Sequence, residues 1–162
     1  MKRFAILSLL AMNLLVAGFA IQAVPPRAGP PVLEFKSMFP VSGPYIGTTN
    51  PIRGVAGGGV AWLITDGRGE LHPDGKLEVK VRGLVLATTQ TNPIPNFRGV
   101  VSCQSIDGTG APSIVNVSTE DFPASSTGDA VIEETLDLPE PCIAPIVFVT
   151  SSTLRWFAVT GQ

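Results

Sequence analysis

The feature that most constrains the fold is the regular alternation, from Val60 onward, of short strand-like runs with turn sequences. The runs are rich in β-branched and aromatic residues, and Asp-Gly, Pro-Asp-Gly and Asn-Pro sequences separate them. This spacing is typical of sandwiches and barrels, because each turn reverses the chain before a helix can develop. We therefore predict an all-β, antiparallel β-sandwich of about eight strands, with a closed β-barrel as the alternative.

The strands are predicted at 60–65, 70–72, 76–86, 97–106, 113–119, 129–138, 143–150 and 154–160. Asp66-Gly67 predicts the turn after the first strand, and Pro73-Asp74-Gly75 predicts a hairpin turn, because glycine accepts a positive φ. The run 129–138 contains two glutamates that favour a helix, but its apolar residues recur every second position, so we predict a strand. The run 143–150 is apolar on both faces and indicates a central strand, whereas Pro145 indicates an edge or a bulge.

The segment before this region, residues 24–59, is rich in proline and glycine. Seven of the 15 prolines lie between Pro25 and Pro51. Such a segment is extended or irregular, apart from a possible short strand at 32–38. Two possibilities stay open for it, an ordered loop that wraps the domain and a partly disordered segment. The β-sandwich domain itself is predicted at 60–162.

The N-terminal residues 1–23 have the order of a secretory signal peptide. Two basic residues precede an apolar run of 16 residues, Phe4–Phe19, and small residues follow it. The run is shorter than the roughly 20 residues of a spanning helix. Cleavage after Ala20 or after Ala23 fits the pattern, and the alternative is an uncleaved segment that anchors the protein. We predict a secreted protein with no stable membrane span after cleavage.

The charge of the mature chain excludes one class of partner. The whole chain has 11 Lys and Arg and 13 Asp and Glu, and Lys2 and Arg3 lie in the signal peptide. The remainder has 9 basic and 13 acidic residues, a net charge of −4, with no basic run. Nucleic-acid binding needs a positive surface that displaces counterions from phosphates, so we predict no nucleic-acid partner.

Cys103 and Cys142 are the two cysteines of the chain. In an oxidising compartment such a pair is most simply a disulfide. It would close a loop of about 40 residues and contribute on the order of 4 kcal/mol. The alternative is a reactive or metal-binding thiol pair. That alternative lacks a Cys-x-x-Cys motif, and the single histidine does not complete a zinc site.

Catalytic chemistry finds little support in the sequence. A Ser-His-Asp triad would have to use His72, the single histidine, which lies beside Pro73 where a solvated turn residue is expected. No Gly-x-Ser-x-Gly elbow is present. We predict no catalytic residue and no cofactor.

Several carboxylates are candidates for other sites. Asp66, Glu70 and Asp74 lie within nine residues and are weak candidates for calcium ligands, although Asp-Gly is also ordinary hairpin chemistry. Glu134 falls on the apolar face of its strand, opposite to Glu133, and with Asp66 or Asp74 would form the carboxylate pair of a hydrolase. A glutamate in this position more often lies at a sheet margin and reaches water.

Aromatic residues and one Asn-x-Ser motif complete the candidates. Trp62, Trp156 and Tyr45 are a possible platform for sugar rings, but both tryptophans alternate in step with aliphatic residues, which indicates core positions. Asn116-Val117-Ser118 is a glycosylation acceptor if the host is a eukaryote, and its period places Asn116 toward solvent.

Four segments resemble a family of uncharacterised small secreted microbial β-rich proteins with two cysteines. They are Asn92–Phe97, Val100–Cys103, Val115–Thr119 with Phe122–Ala124, and Pro141–Pro145. The resemblance covers roughly Thr49 to Gly161. It implies export and the Cys103–Cys142 link, and it transfers no functional residue.

These observations favour a secreted, non-enzymatic β-sandwich that acts in surface recognition or as a structural component, with an unidentified protein or surface as its partner. A secreted hydrolase with a carboxylate pair is the first alternative. The second is a β-barrel that binds an apolar ligand.

Overall fold

The structure is a computed structural model that describes residues 29–161. The signal peptide and its two cleavage points lie outside the described residues. The described chain forms twelve strands and one 3₁₀ helix, Gly43–Tyr45. The strands are β1 (Leu33–Phe35), β2 (Met38–Pro40), β3 (Trp62–Leu63), β4 (Asp66–Leu71), β5 (Lys76–Arg82), β6 (Val85–Leu86), β7 (Asn96–Ile106), β8 (Pro112–Ser118), β9 (Phe122–Pro123), β10 (Ala130–Thr135), β11 (Ile143–Thr150) and β12 (Trp156–Thr160).

These strands form two antiparallel sheets. The four-stranded sheet has the order β1-β4-β5-β10. The six-stranded sheet has the order β2-β12-β11-β7-β8, and β9 also pairs with β7. A short pair, β3 and β6, lies apart from both. The prediction of an antiparallel β-sandwich is confirmed. The alternative of a closed barrel is wrong, because each sheet ends in edge strands. The hypothesis of a barrel that binds an apolar ligand therefore does not apply to this fold.

The core lies between the inner faces of the two sheets. The sheets approach closely at Gly99 on β7, since a Cβ there would lie 2.9 Å from Leu77 and 3.3 Å from Ile132 of the four-stranded sheet. The rings of Trp62 and Phe157 stack with centroids 4.0 Å apart. Further fully buried residues of this layer include Leu71, Val79, Val81, Phe97, Val101, Cys103 and Val147. Burial of such side chains contributes roughly 1.5–3 kcal/mol each and holds the sheets together.

The sequence predicts two turns around β4, and one of these predictions is wrong. Pro73-Asp74-Gly75 is a hairpin turn, with Gly75 at a φ of +84°. Asp66-Gly67, by contrast, begins β4 and does not turn the chain. Gly67 is needed for packing, because a Cβ there would lie 2.8 Å from the side chain of Met38. The predicted strand 76–86 also divides, into β5 and β6, at Gly83 with a φ of +63°.

Two ambiguous runs are strands. Residues 130–135 form β10, as the period of two predicted, and pair with β5 along their whole length. The strand β11 lies centrally between β12 and β7, and its register shifts between Ile143 and Ile146. Pro145 lies at this irregularity, where a missing N–H is tolerated. Both indications from the sequence of this run, the central place and the bulge, are therefore correct.

The sandwich takes in residues before Val60, which the prediction placed outside the domain. The predicted strand 32–38 is two shorter strands, with β1 on the four-stranded sheet and β2 on the six-stranded sheet. Both are edge strands of three residues, and Pro40 ends β2. Proline and glycine disfavour a central strand but not an edge strand, which pairs on one side.

Residues 41–59 are an ordered loop that runs beside β12 and reaches, through Arg53, to Ser102 on β7 and Asn116 on β8. The Trp156 carbonyl accepts the Gly58 N–H at 2.9 Å, and the rings of Tyr45 and Trp156 lie 6.3 Å apart. Val41 and Val55 belong to this loop and are themselves buried. Of the two possibilities left open by the sequence, the loop that wraps the domain is therefore the one observed.

Cys103 on β7 and Cys142, directly before β11, form a disulfide with Cα atoms 4.9 Å apart. The predicted pairing is confirmed, and Cys103 is fully buried. The link joins two neighbouring strands of the six-stranded sheet. Over residues 29–161, no helix has the length and apolar character needed to cross a membrane.

Candidate binding surfaces

The outer face of the four-stranded sheet carries its charges in rows that run across the strands. One glutamate from each strand stands directly opposite the next. We call this set the acidic row; its members are Glu34, Glu70, Glu78 and Glu133. Adjacent strands are about 4.8 Å apart, so the row spans roughly 14 Å.

A second row of opposite charge lies two residues farther along the strands. Arg68 on β4 stands opposite Lys80 on β5. The register of β1 and β4 places Lys36 beside Arg68. We call Lys36, Arg68 and Lys80 the cationic row; it lies about 7 Å from the acidic row. Two further basic residues, His72 and Lys76, lie on the other side of the acidic row. They are neighbours across the two strands, because the backbone N–H of His72 donates to the carbonyl of Lys76.

The ion pairs of this face run mostly along single strands. Glu34 pairs with Lys36 at 3.6 Å, and Glu78 pairs with Lys80. The hydrogen bond from Lys80, together with the nearby positive charges, lowers the pKa of Glu78. Glu133 raises the pKa of Lys76 in the same way, through a contact of 3.1 Å. These pairs favour the ionised forms of Glu78 and Lys76.

The rows are not the arrangement that would best stabilise the sheet. Like charges directly opposite each other are destabilising, and opposite charges across strands stabilise. Here Glu78 stands between Glu70 and Glu133, and Arg68 faces Lys80. A depression of about 270 Å³ lies between the two rows and is lined by residues of both. The outer face therefore carries bands of alternating charge.

A second candidate is a cleft of about 360 Å³ at one end of the sandwich. It lies between the turn after β4 and the segment that leads from β10 to the disulfide. Its carboxylates belong to Asp74, Asp137 and Glu140. Asp74 also accepts the backbone N–H of Lys76 at 3.1 Å, as in an ordinary turn.

His72 lies at the margin of this cleft, and its side chain is only 15 % exposed. Its Nε2 lies 3.1 Å from Glu70, and its Nδ1 lies 3.1 Å from the carbonyl oxygen of Gly29. Both partners are acceptors, so both contacts become hydrogen bonds only when the ring carries two protons. These contacts, led by Glu70, raise the pKa of His72. The expectation of a solvated turn residue is wrong for this side chain.

The three candidate calcium ligands are not brought together. Asp66 pairs with Arg68 at 3.4 Å, and Glu70 pairs with His72. Asp66 and His72 are six residues apart along an extended chain, a distance of roughly 20 Å, and Asp74 lies beyond His72. Among residues 29–161, no group of three His, Cys, Asp or Glu side chains is placed to hold a metal ion.

Glu134 lies at the margin of the four-stranded sheet. It stands opposite Leu77 on the core side of β10, and its Oε2 accepts the N–H of Glu120 at 2.9 Å. Asp66 stands opposite Arg82, which is five residues beyond Leu77 on β5. Asp66 and Glu134 are therefore separated by about 17 Å along the strand direction. Asp74 lines the end cleft, whereas Glu134 does not. The carboxylate pair considered from the sequence is therefore not assembled.

The aromatic candidates divide between the core and the surface. Trp62 and Trp156 are buried, as the sequence predicted, and Tyr45 is exposed at the edge of the loop that covers Trp156. They do not form a common platform. Asn116 on β8 is exposed, and its Nδ2 donates to the carbonyl of Arg53 at 3.0 Å.

The charged rows were missed at the level of sequence, although part of their signal is visible there. Charged side chains alternate with apolar ones in Arg68-Gly-Glu70-Leu-His72 and in Lys76-Leu-Glu78-Val-Lys80. The alternation predicts a charged face. Only the pairing register places the four glutamates opposite one another.

Comparison with known proteins identifies no relative of this chain. No protein family matches the chain, and neither a curated protein nor a solved structure is similar to it.

Proposed function

We propose that this chain is an exported, non-enzymatic β-sandwich protein that recognises a charged surface partner through the outer face of its four-stranded sheet. The observation that carries the proposal is the acidic row beside the cationic row. Because like charges across strands destabilise a sheet, stability does not explain the arrangement. Departures from local rules of stability are characteristic of functional sites.

Export is supported by the signal-like N-terminus and by the disulfide, which persists in oxidising compartments. Its test is to isolate the protein from the medium of the producing cells and to sequence its N-terminus. We expect the mature chain to begin at Ile21 or Val24. Retention with the intact N-terminus would indicate the anchored form instead.

Recognition through this face would be ionic and therefore sensitive to salt. Exposed charges are screened beyond about 8 Å at physiological ionic strength, so binding through the rows should weaken as salt is added. The face carries both signs, which favours a partner with charged groups of both signs over a uniformly charged polymer. Charge complementarity of this kind selects partners and raises the association rate.

The test is binding of the mature protein to the surface of the cells that produce it, with the charge reversal Arg68→Glu. A glutamate at this position would stand opposite Lys80, which is favourable for folding. We expect binding at least about tenfold weaker, equivalent to ~1.4 kcal/mol. The matched control is Arg155→Glu, because Arg155 is exposed outside the four-stranded sheet. Equal loss in both variants, or binding unaffected by salt, would contradict the proposal.

A hydrolase remains a second candidate, because the end cleft carries Asp74, Asp137 and Glu140. It would use these carboxylates and not the pair with Glu134. The test measures hydrolysis of glycosides and esters by the mature protein and by the Glu140→Gln and Asp137→Asn variants. Turnover that either substitution abolishes would replace the recognition proposal, and the absence of turnover agrees with it.

A further inference from the structure

The free edge of β8 is a second surface that differs in character from the charged rows. This strand, Pro112–Ser118, is the outer strand of the six-stranded sheet and pairs only with β7. Its seven residues include no charged side chain. Within residues 29–161, no strand pairs with its other side.

The direction of its backbone groups follows from two hydrogen bonds at the ends of the pairing with β7. The N–H of Thr119 donates to Gly99 at 2.9 Å, and the N–H of Asp107 donates to Ala111 at 2.8 Å. Hydrogen-bonded and non-bonded pairs alternate along an antiparallel ladder. The odd-numbered residues of β8 therefore point their N–H and C=O groups toward β7. The even-numbered residues, Pro112 to Ser118, point theirs outward.

The other edge strands of the sandwich are protected in known ways. The strands β1 and β2 have only three residues each, and β2 ends in Pro40. The strand β10 carries Glu133 and Glu134. Shortness, proline and charge all discourage pairing with another chain. The strand β8 has a proline only at its first residue, and the rest of its edge is open.

An apolar patch lies beside this edge on the outer face of the same sheet. Ile114 and Ile143 stand on either side of Gln104, in register across three strands, and Ile106 stands opposite Pro112. Ile106, Ile114 and Ile143 are 52 %, 45 % and 54 % exposed. An open edge beside exposed isoleucines has the two properties of a strand-addition site, main-chain bonding and apolar contacts.

We propose that β8 pairs with β8 of a second copy of this chain in an antiparallel dimer. The partner must contribute a strand that is extended, uncharged at the contact and open on one side. The β8 strand of a second copy meets each of these requirements. A two-fold axis makes the same patch serve both copies. With the axis at Val115, Ile114 of one copy stands opposite Asn116 of the other. The Ser118 N–H then meets the Pro112 carbonyl, so the missing N–H of proline costs one bond at each end.

The absence of charged side chains on β8 is compatible with a second copy as the partner. The mature chain has a net charge of −4, so a contact between two copies is weakened least where it brings no carboxylates together. The pairing of β8 with itself brings no carboxylate into the new strand pair, because the strand has none. The charged rows lie on the other sheet and stay free in the dimer.

The experiment is sedimentation of the mature, oxidised protein from about 1 µM to 1 mM, a range that detects weak dimers. We expect dimers whose fraction rises with concentration. Ile114→Lys places a charge at the edge, and Ile114→Pro removes an outward N–H without removing a bond to β7. Both variants should be monomeric, and the melting temperature of Ile114→Lys should be unchanged when measured on dilute monomer. Val60→Lys, at an exposed aliphatic residue away from β8, is the matched control and should dimerise like the wild type.

Hydrogen exchange identifies the contact independently of the variants. The amides of Ile114, Asn116 and Ser118 should exchange more slowly at high protein concentration, whereas the inward amides of β8 should change little. A wild type that stays monomeric throughout, or a dimer that survives Ile114→Lys with fast outward amides, would overturn the proposal.

Discussion

One of the two contacts of His72 joins it to a residue that is distant in sequence. In the sequence it is a polar residue beside a turn, but in the fold its two ring nitrogens contact Glu70 and the carbonyl of Gly29. Gly29 precedes β1, so the histidine holds the entry of the chain against the hairpin. Neither contact is visible locally, because Gly29 is 43 residues away in sequence.

The raised pKa of His72 predicts a dependence of stability on pH. The folded state binds the proton more tightly than the unfolded state, whose pKa is about 6.5. The contribution is therefore complete below about pH 6.5 and is lost as pH rises through the higher pKa of the folded state. We expect the free energy of unfolding to fall over this range and the slope to be smaller in His72→Gln. Asp74 also acts on this titration, so Asp74→Asn is a useful second variant. Equal slopes in wild type and His72→Gln would show that protonation of His72 is not linked to folding.

Gly57 and Gly59 offer a matched test of close packing. A Cβ at Gly57 would lie 2.0 Å from the carbonyl oxygen of Tyr45, whereas nothing lies within 4 Å of one at Gly59. We expect Gly57→Ala to lower the free energy of unfolding by about 1–3 kcal/mol through overpacking. Gly59→Ala should change it by less than about 0.5 kcal/mol. Urea unfolding of both variants tests this, and equal effects would mean that the loop is not tightly packed between Gly57 and Tyr45.

At the scale of elements, the pairing register of β1, β4, β5 and β10 converts an ordinary alternation of charges into rows. A shift of one residue in any strand would carry its charged side chains to the other face. The core residues on the inner face hold the register against this shift. The rows therefore depend on the same packing that makes the sandwich.

The Glu78→Thr variant tests how much the acidic row lowers the free energy of unfolding. The substitution removes two cross-strand repulsions of roughly 0.2–1 kcal/mol each and one exposed ion pair worth about 0–1 kcal/mol. We expect the free energy of unfolding to stay level or rise by a few tenths of a kcal/mol, while binding through the face weakens. Urea unfolding at low salt, beside the cell-surface binding assay, measures both. A loss of stability greater than about 1 kcal/mol would mean that the row is structural.

At the scale of the whole molecule, the disulfide restricts the unfolded chain more than it shapes the sandwich. Cys103 and Cys142 are separated by 39 residues, so the loop-entropy estimate is about 4 kcal/mol. We expect reduction, or the Cys103→Ala/Cys142→Ala variant, to lower the free energy of unfolding by about this amount. Added reductant should have no further effect on the variant. Unchanged stability after reduction of the wild type would contradict this account.

Much of the fold follows from local patterns, and the exceptions have physical causes. The strands β5, β7, β8, β10 and β11 were recognisable because β-branched runs with period two lie between turns. Asp66-Gly67 was misread because a glycine that permits close packing looks the same in sequence as a glycine that turns the chain. The strands β1 and β2 are short and lie in a proline-rich segment, so only pairing partners far along the chain define them as strands.

The all-β class and the place of most strands follow from the sequence alone, because they depend on residue type and local spacing. The disulfide was predictable because the chain has two cysteines and a signal-like N-terminus. The tertiary structure decided the charged rows, the contacts of His72, the loop over Trp156 and the open edge of β8. Each of these depends on which strands are neighbours and in what register. Those properties arise from packing between residues that are distant in sequence, and no local pattern contains them.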